Sequence, residues 1–391
     1  MVADRRGRLW VYVTVLVLGH TFSDFYATAF NPLVATFRTH FGLKMVQISA
    51  VGMMLGVFGS MLQPLFGLLG DRVDRGAMAA LGIAVSALFV GLIGFAPNVY
   101  VLAALLLAGM LGVAAFHPSG AVLVSAPVVR RSRVMGLFLS GGGLGLLLAP
   151  LLVIEVKLRL GLPQLWVLAV PGLALAAWMY AATRGEARVR SPRGRWRLRA
   201  LFAPGTGPVW ALFGMAALRA VPVTSFAYFC SEVGLARGWG DRTVSHVLSL
   251  FMATGVVGGL MGGWLAERVS HRVLLAGSTL LSAPLFLLFP ATRGWASVPA
   301  LAVGNFVMAL GAPLNVALAQ ELRPQSASAV SGLMMGLAWG VAYFPLLVVG
   351  GVAEAVGIER ALPLAAALGA LGAVLVGFVP RTSFGHARPT P

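Results

Sequence analysis

Charged residues are scarce in this chain: they make up 10% of its 391 residues, whereas hydrophobic residues make up 59%. Ordinary soluble domains carry about 25% charged residues. A chain with so few cannot cover its surface with polar groups in water, so lipid is the expected solvent. Its long apolar runs predict helices that cross a hydrocarbon core about 30 Å thick. The short alternating segments of a membrane β-barrel do not occur.

Cysteine is nearly absent, and so are the motifs of enzymes. The single cysteine, Cys230, excludes a disulfide or a cysteine-based zinc site within one chain. The sequence contains no Gly-x-x-x-x-Gly-Lys phosphate-binding loop, no His-Glu-x-x-His zinc site and no Gly-x-Ser-x-Gly nucleophile elbow. We therefore predict no enzymatic activity, no cofactor and no metal, and we expect transport to draw on an ion gradient.

Basic residues outnumber acidic ones, 29 to 12, and their distribution argues against nucleic-acid binding. With the spans placed as below, 20 lysines and arginines fall on one side of the membrane, 8 on the other, and Arg219 alone inside a span. The positive-inside rule then places both termini in the cytoplasm. We predict a multi-pass protein of the bacterial inner (cell) membrane that contacts anionic lipid and is a monomer.

Twelve transmembrane helices are predicted, and the predicted fold class is all-α. Their approximate bounds are 9–37, 45–69, 77–95, 99–126, 133–156, 163–183, 208–234, 243–265, 272–290, 296–320, 327–352 and 360–380.

An internal repeat divides the chain into two pseudo-symmetric six-helix halves. The loop Gly67–Gly76, GLLGDRVDRG, returns 196 positions later as Gly263–Arg272, GWLAERVSHR. Duplicated hydropathy of this kind is typical of secondary transporters. The predicted domains are an N-terminal bundle over 1–183, a cytoplasmic basic linker over 184–207 and a C-terminal bundle over 208–391.

These two loops resemble the loop pattern G-x-L-A-D-R-x-G-R-R of the major facilitator superfamily, whose fold has twelve helices in two halves. The resemblance implies that the loop residues control conformational gating, by bridging helix ends in one access state. The alternative is a solvated loop whose charges only set topology. The predicted gating residues are Gly67, Asp71, Arg72, Arg75, Gly263, Glu267, Arg268 and Arg272.

A narrower resemblance, to the fosmidomycin-resistance efflux proteins of that superfamily, covers most of the chain. It rests on Gly19-His20 with Asp24, Asn31-Pro32-Leu33, Gln63-Pro64, Phe116-His117-Pro118, the glycines from Gly141 to Gly145, and Ser331-Gly332-Leu333. The chain departs from that family at Ser119, where the family commonly has glutamate. The departure leaves open whether a fosmidomycin-like substrate is used.

Four ionisable residues lie near the middle of predicted spans, where a charge is costly and usually functional. His20 and Asp24 share a helix face because they are four residues apart. Counted from the cytoplasmic boundary, these two, His117 and Arg219 all lie roughly 17–22 Å deep. In the resembled superfamily, spans 1, 4 and 7 line the central cavity.

We assign proton coupling to Asp24, as the proton carrier, with His20 as its local partner and with Arg219 and His117. Arg219 is a fixed positive charge that would neutralise Asp24 or hold an anionic substrate. Alternatively, Asp24 and Arg219 form a structural ion pair, and His117 only satisfies a carbonyl freed beside Pro118.

Further polar and aromatic side chains in the spans are candidates for substrate binding. Asparagines and glutamines in spans also often bond one helix to another, and the aromatic pair would equally suit packing. The predicted substrate-binding residues are Arg219, His117, Asn31, Gln63, Asn305, Asn315, Trp339 and Tyr343.

The predicted function is proton-coupled export of a small drug-like or anionic organic solute by alternating access, that is, antiport. A proton-linked importer of an organic anion is the alternative within transporters. A non-transporting membrane receptor or scaffold on the same fold is the alternative of another class. The predicted partners are a small-molecule substrate, protons and the lipid bilayer, with no nucleic acid.

Overall fold

A computed structural model of the chain describes residues 2–70, 72–125, 131–183 and 205–380. These residues form helices joined by short turns, with no strand among them. In lipid each backbone group must find its hydrogen-bond partner within its own segment, and a helix provides that partner along an apolar run. The prediction of an all-α protein is confirmed.

The first part of the chain forms eight α-helices. Their bounds are α1 (Val2–Thr28), α2 (Val34–His40), α3 (Met45–Gly56), α4 (Gln63–Gly70), α5 (Arg75–Gly91), α6 (Val99–Ser125), α7 (Arg131–Leu160) and α8 (Ala169–Thr183). Predicted span 1 contains α1 and α2, which are joined by a 3₁₀ turn at Asn31–Leu33. Predicted span 2 contains α3 and α4, which are joined by a π-helical turn at Val57–Met61.

The second part of the chain forms nine further α-helices. Their bounds are α9 (Gly207–Ala236), α10 (Asp241–Ala266), α11 (His271–Ala291), α12 (Ser297–Ala309), α13 (Ala312–Leu322), α14 (Ala327–Gly332), α15 (Ala338–Val341), α16 (Pro345–Val356) and α17 (Ile358–Leu371). Predicted span 10 is interrupted between α12 and α13. Predicted span 11 contains a π-helical turn at Leu333–Leu337.

Eleven helical stretches within the described residues are long and apolar enough to cross a membrane. They correspond to predicted spans 2 to 12. Helix α1 is not among them, because His20, Ser23 and Asp24 lower the hydropathy of its second half. These polar residues, two of which are candidates for proton coupling, therefore also make α1 less apolar than the eleven stretches.

The described residues pack as two compact units. The first comprises those of Met1–Gly42, Val57–Gly194 and Gly240–Ser249, and the second those of Leu43–Gly56, Arg195–Trp239 and Leu250–Pro391. Each unit thus includes one short segment from the other half of the sequence. The domain boundaries that we predicted along the chain, at 183 and 208, stay a prediction.

In the first unit, glycines let helices approach one another closely. A Cβ atom added at Gly141 of α7 would lie 2.6 Å from the Val17 carbonyl oxygen of α1. One added at Gly82 of α5 would lie 2.7 Å from the Gly112 carbonyl oxygen of α6. Contacts of this kind replace the hydrophobic effect between helices in lipid, where close van der Waals packing holds helices together.

In the second unit, a buried arginine joins the ends of four helices. Arg237, at the C-terminal end of α9, bonds the Glu359 carboxylate of α17 (2.6 Å) and the Ser297 hydroxyl of α12 (2.8 Å). It also donates to the carbonyl oxygens of Phe289 (2.9 Å) and Thr292 (3.0 Å) at the end of α11. Its side chain is only 5% exposed, so the guanidinium has little access to water as an alternative to these acceptors.

We expect Arg237→Ala to lower the thermal stability of the purified protein by roughly 2 kcal/mol or more, because it leaves buried acceptors without donors. Melting in detergent, followed by tryptophan fluorescence, measures the change. Arg293→Ala is the matched control, since Arg293 is exposed at the start of the following 3₁₀ turn. Equal melting temperatures for the two variants would contradict a joining role for Arg237.

Candidate functional site

Three side chains of the first unit form an ionisable cluster. His20 and Asp24 lie one turn apart on α1, with His20 Nε2 3.4 Å from Asp24 Oδ2. His117 reaches the same carboxylate from α6, with its Nε2 3.2 Å from Asp24 Oδ1. One carboxylate therefore stands between two imidazoles, each facing a different oxygen. We call these three residues the triad.

The three side chains of the triad are buried to different degrees. The side chain of His20 is 8% exposed, whereas those of Asp24 and His117 are 17% and 21% exposed. His20 is enclosed by aromatic rings, including the Phe138 ring stacked on it at 4.2 Å between centroids. The inner end of the triad is thus sealed by protein, and its His117 end keeps an accessible surface.

The surroundings of the triad include groups that the sequence analysis did not single out. The Ser23 hydroxyl lies 3.5 Å from His117 Nε2, and the Phe138 carbonyl oxygen lies 2.7 Å from His20 Nδ1. Ser23 falls three residues after His20, a spacing that places it near the same helix face. That spacing could have indicated Ser23, whereas a backbone carbonyl on another helix leaves no sequence signal.

The triad offers imidazole nitrogens and carboxylate oxygens, which are donor atoms that metal ions bind. The triad's ligand atoms lie within 4.8 Å of one another, the only such histidine, cysteine and carboxylate group within the described residues. The same nitrogen and oxygen atoms can instead bind protons. Our expectation that the protein uses no metal stays a prediction.

Arg219 lies in the second unit, buried in α9. Its guanidinium donates to the Leu275 carbonyl oxygen (2.9 Å), the Ser278 hydroxyl (2.9 Å) and the Thr279 hydroxyl (2.5 Å), all on α11. It also donates to the carbonyl oxygen of Met308, near the end of α12. These acceptors are all neutral, so the positive charge is solvated by oxygen dipoles.

The interruption of predicted span 10 is fitted around this arginine. A Cβ atom at Gly311, between α12 and α13, would lie 2.5 Å from one terminal guanidinium nitrogen of Arg219. The end of α12 supplies the negative pole of a helix dipole, which stabilises a nearby cation. The guanidinium thus occupies the space that the helix break and the missing side chain leave open.

The remaining predicted substrate-binding residues occupy varied surroundings. Asn305 is buried and donates to the Phe251 carbonyl oxygen (2.6 Å). Asn315 is buried too, and its Oδ1 has no hydrogen-bond partner within the described residues. Trp339 is exposed, at 41% of its surface. The Tyr343 ring packs where Gly56 has no side chain.

Asn31 and Gln63 lie at helix interruptions of spans 1 and 2. Asn31 is buried at the start of the 3₁₀ turn after α1. Gln63 begins α4 and donates to the Gly59 carbonyl oxygen (3.0 Å) in the preceding π-helical turn. A substrate role for either residue stays a prediction.

The first predicted gating loop is only partly described, since Asp71 lies outside the described residues. Gly67 lies in α4 before Asp71, and Arg72 follows Asp71 directly. Arg75 is buried in the first turn of α5. Asp74, which departs from the family pattern, caps α5: its Oδ1 accepts from the Ala77 N–H at 3.0 Å. The departure therefore has a local structural reason, because aspartate is a favoured N-cap residue.

The second gating loop shows contacts within its own helix and to the end of the last helical turn among the described residues. Arg268 stacks over the Trp264 ring at 3.9 Å and lies 3.8 Å from the exposed Glu267 carboxylate. Arg272 donates to the Val379 carbonyl oxygen. Gly263 has open space around it. The gating role of both loops stays a prediction.

Comparison with known proteins identifies the family. The sequence profile described as Major Facilitator Superfamily matches residues 16–344. The chain is 25% identical over 375 residues to the uncharacterized MFS-type transporter YfnC of Bacillus subtilis, which covers 93% of this chain and 91% of that protein. It is also 25% identical, over the same shares, to the fosmidomycin resistance protein of Escherichia coli.

Solved structures agree on the fold. A bacterial homolog of the human lysosomal transporter Spinster superposes with a TM-score of 0.76 at 15% identity, covering 95% of this chain and 96% of that one. A D-xylose-proton symporter superposes with a TM-score of 0.73 at 14% identity, covering 96% of this chain and 98% of that one. The predicted fold is thereby confirmed.

The family consists of transporters rather than enzymes, which confirms the predicted absence of enzymatic activity. Eleven described helical stretches that are long and apolar enough to span a membrane, and a profile that matches most of the sequence, lead to one assignment. The chain belongs to the major facilitator superfamily of multi-pass membrane transporters.

Proposed function

We propose that this protein exports a small drug-like or anionic organic solute in exchange for protons, by alternating access. The observation that carries the proposal is the triad, in which the Asp24 carboxylate lies within 3.4 Å of two imidazole nitrogens. Carboxyl and imidazole groups are the side chains that gain and lose protons most readily near neutral pH when their surroundings change. Intramembrane groups of these types form proton relays in pumps and transporters.

The graded burial of the triad supports a proton path with one open end. His117 and Asp24 keep accessible surface, so water or solute can meet them, while His20 is enclosed. A proton arriving at His117 can pass to the carboxylate that His117 contacts. A solute that displaces water from this end would change the free energy of the charged form and so couple its own binding to that of the proton.

The fixed positive charge of Arg219 supports the proposal that the substrate is anionic. Its charge is permanent, and among the described residues its hydrogen-bond partners are neutral, with no carboxylate in an ion pair with it. An uncompensated positive charge in a low-dielectric medium attracts an anion over several ångströms. We propose that Arg219 acts as this stationary charge, and that Asn315, with a free acceptor on α13, contacts the solute.

Export, rather than import, is supported by a relative. The Escherichia coli protein at 25% identity is named for resistance to fosmidomycin, an activity that export of a drug would explain. Ser119 stands where that family commonly has glutamate, and its buried hydroxyl has no partner within the described residues. We therefore propose a solute of the same general kind, without assigning fosmidomycin itself. Both termini would be cytoplasmic.

Asp24→Asn should abolish solute-stimulated proton flux, because an amide keeps the shape of the side chain but cannot carry the proton. The measurement uses proteoliposomes with an acidic exterior and a pH-sensitive dye inside. The solute is the compound that most raises the melting temperature in a library of phosphonates, carboxylates and drug-like amines.

Glu321→Gln is the matched control, because Glu321 is exposed near the end of α13 and has no predicted role in coupling, binding or gating. Antiport predicts that protons and solute move in opposite directions, whereas the importer predicts the same direction. Full pH-driven transport by Asp24→Asn would disprove the proposed carrier.

Removal of divalent metal ions should leave the exchange unchanged, since protons suffice to join the triad. The same proteoliposomes are assayed after dialysis against a chelator, and then with zinc restored. A loss of flux that zinc reverses would show that the triad binds a metal ion, and it would contradict the proposal that protons suffice.

Arg219→Lys should lower exchange about tenfold or more even though it keeps the charge. Lysine concentrates its donors on one atom and cannot replace a planar fork that bonds acceptors on α11 and α12 together. Initial rates of solute uptake measure the loss, and the exposed Arg293→Lys is the control. Wild-type rates in Arg219→Lys would show that charge alone matters at this position.

A further inference from the structure

One turn of α7, from Phe138 to Gly142, touches the triad without contributing a titratable side chain to it. The carbonyl oxygen of Phe138 lies 2.7 Å from His20 Nδ1. A carbonyl oxygen only accepts hydrogen bonds, so the ring nitrogen facing it must be the donor. The contact therefore selects the form of His20 that carries a proton on Nδ1.

This selection determines what faces Asp24. With the proton on Nδ1, a neutral imidazole has a lone pair on Nε2, and Nε2 lies 3.4 Å from Asp24 Oδ2. A lone pair and a carboxylate oxygen repel each other unless a proton stands between them. One proton therefore lies between Nε2 and Oδ2, and with either atom as its donor His20 keeps a proton on Nδ1 that it donates to Phe138. When Nε2 holds the shared proton, His20 is an imidazolium that donates from both nitrogens.

Gly142 brings the backbone of α7 against this pair. A Cβ atom added there would lie 2.5 Å from Asp24 Oδ2 and 2.7 Å from His20 Nε2. Gly145, one turn further on, is equally close to α1, since its Cβ would lie 2.9 Å from the Phe25 nitrogen. The distance between Phe138 and His20 thus depends on the close approach of α7 to α1.

We propose that the Phe138–Gly142 turn is the positioning element that retains the coupling proton, by holding His20 with a proton on Nδ1. This inference rests on the proposed function and refines it: Asp24 carries the proton from His117 to His20 Nε2, and the His20 ring retains it. The titratable groups at the site are His20 and Asp24 from α1 and His117 from α6. The turn itself acts through His20 and does not touch the solute.

Separation of α7 from α1 would release the proton. Once Nδ1–H loses the Phe138 acceptor, the imidazolium gives its Nδ1 proton to a water molecule, which becomes hydronium. Nε2 keeps its proton and continues to donate to the Asp24 carboxylate, so the ring ends as the neutral Nε2–H form. One proton leaves, no other bond changes, and a movement of span 5 is thereby converted into proton release.

Gly142→Ala tests the proposal in the full-length protein in lipid nanodiscs. The added methyl group must push the His20–Asp24 pair away from α7 and so lengthen the bond to Phe138. We expect the doubly protonated form of His20 to require an about tenfold higher proton concentration in this variant. Gly136→Ala, which adds a methyl group to α7 where open space surrounds it, should titrate like the wild type.

The measurement is nitrogen-15 NMR of histidine-labelled protein, in which the two ring nitrogens report their protonation separately. The chain has 6 histidines, and His20 is assigned by the signals that His20→Gln removes. In the wild type we expect Nδ1 of His20 to be protonated at neutral pH. A wild-type His20 protonated only on Nε2, or a Gly142→Ala titration equal to the wild type, would overturn the inference.

The outcome is separable from that of the proposed function. If Asp24→Asn loses proton coupling while Gly142→Ala titrates normally, the triad carries protons and the turn does not control them. If Asp24→Asn keeps full pH-driven transport, the proton function itself is wrong. The NMR result on the wild type stands even if Gly142→Ala fails to fold.

Discussion

The structure depends on how a carboxylate is accommodated inside a membrane-spanning helix. An isolated charge there is unfavourable by several kcal/mol, and Asp24 meets this constraint through two imidazoles rather than through an arginine or lysine. A permanent cation would hold the carboxylate ionised at all times. Histidines can be neutral or charged, so the same contacts persist while the number of bound protons changes. Under the proposed function, histidine partners allow Asp24 to take part in proton exchange.

Absent side chains matter as much as present ones around both buried charges. Gly142 admits the His20–Asp24 pair against α7, and Gly311 admits the Arg219 guanidinium at the break in span 10. In each case the backbone comes close enough for carbonyl oxygens to act as hydrogen-bond acceptors for the charged group. Polar contacts of this kind rely on tight packing of helices, so a small displacement of one helix changes the electrostatics of its neighbour.

Sequence reasoning predicted the fold, and three of the four residues to which it assigned proton coupling lie together in the triad. Membrane spans follow from composition, the pairing of His20 with Asp24 from helical periodicity, and the inclusion of His117 from its depth along span 4. The partners of Arg219 could not be predicted, because carbonyl and hydroxyl groups occur along every helix. The contact of the Phe138 carbonyl oxygen with His20 could not be predicted for the same reason. The interruption before α13 does have a local signal, since Gly311 precedes the helix and Pro313 lies in its first turn, but that signal does not indicate that the break accommodates Arg219.

The exchange of short segments between the two units has a consequence for dividing the gene. Residues 43–56 are translated with the first half but pack in the second unit, and residues 240–249 show the reverse. A gene cut within the basic linker would therefore encode two polypeptides, each missing a piece of its own packing and carrying a piece of the other's. Each product would complete its packing only in the presence of the other, so the two would have to be expressed together.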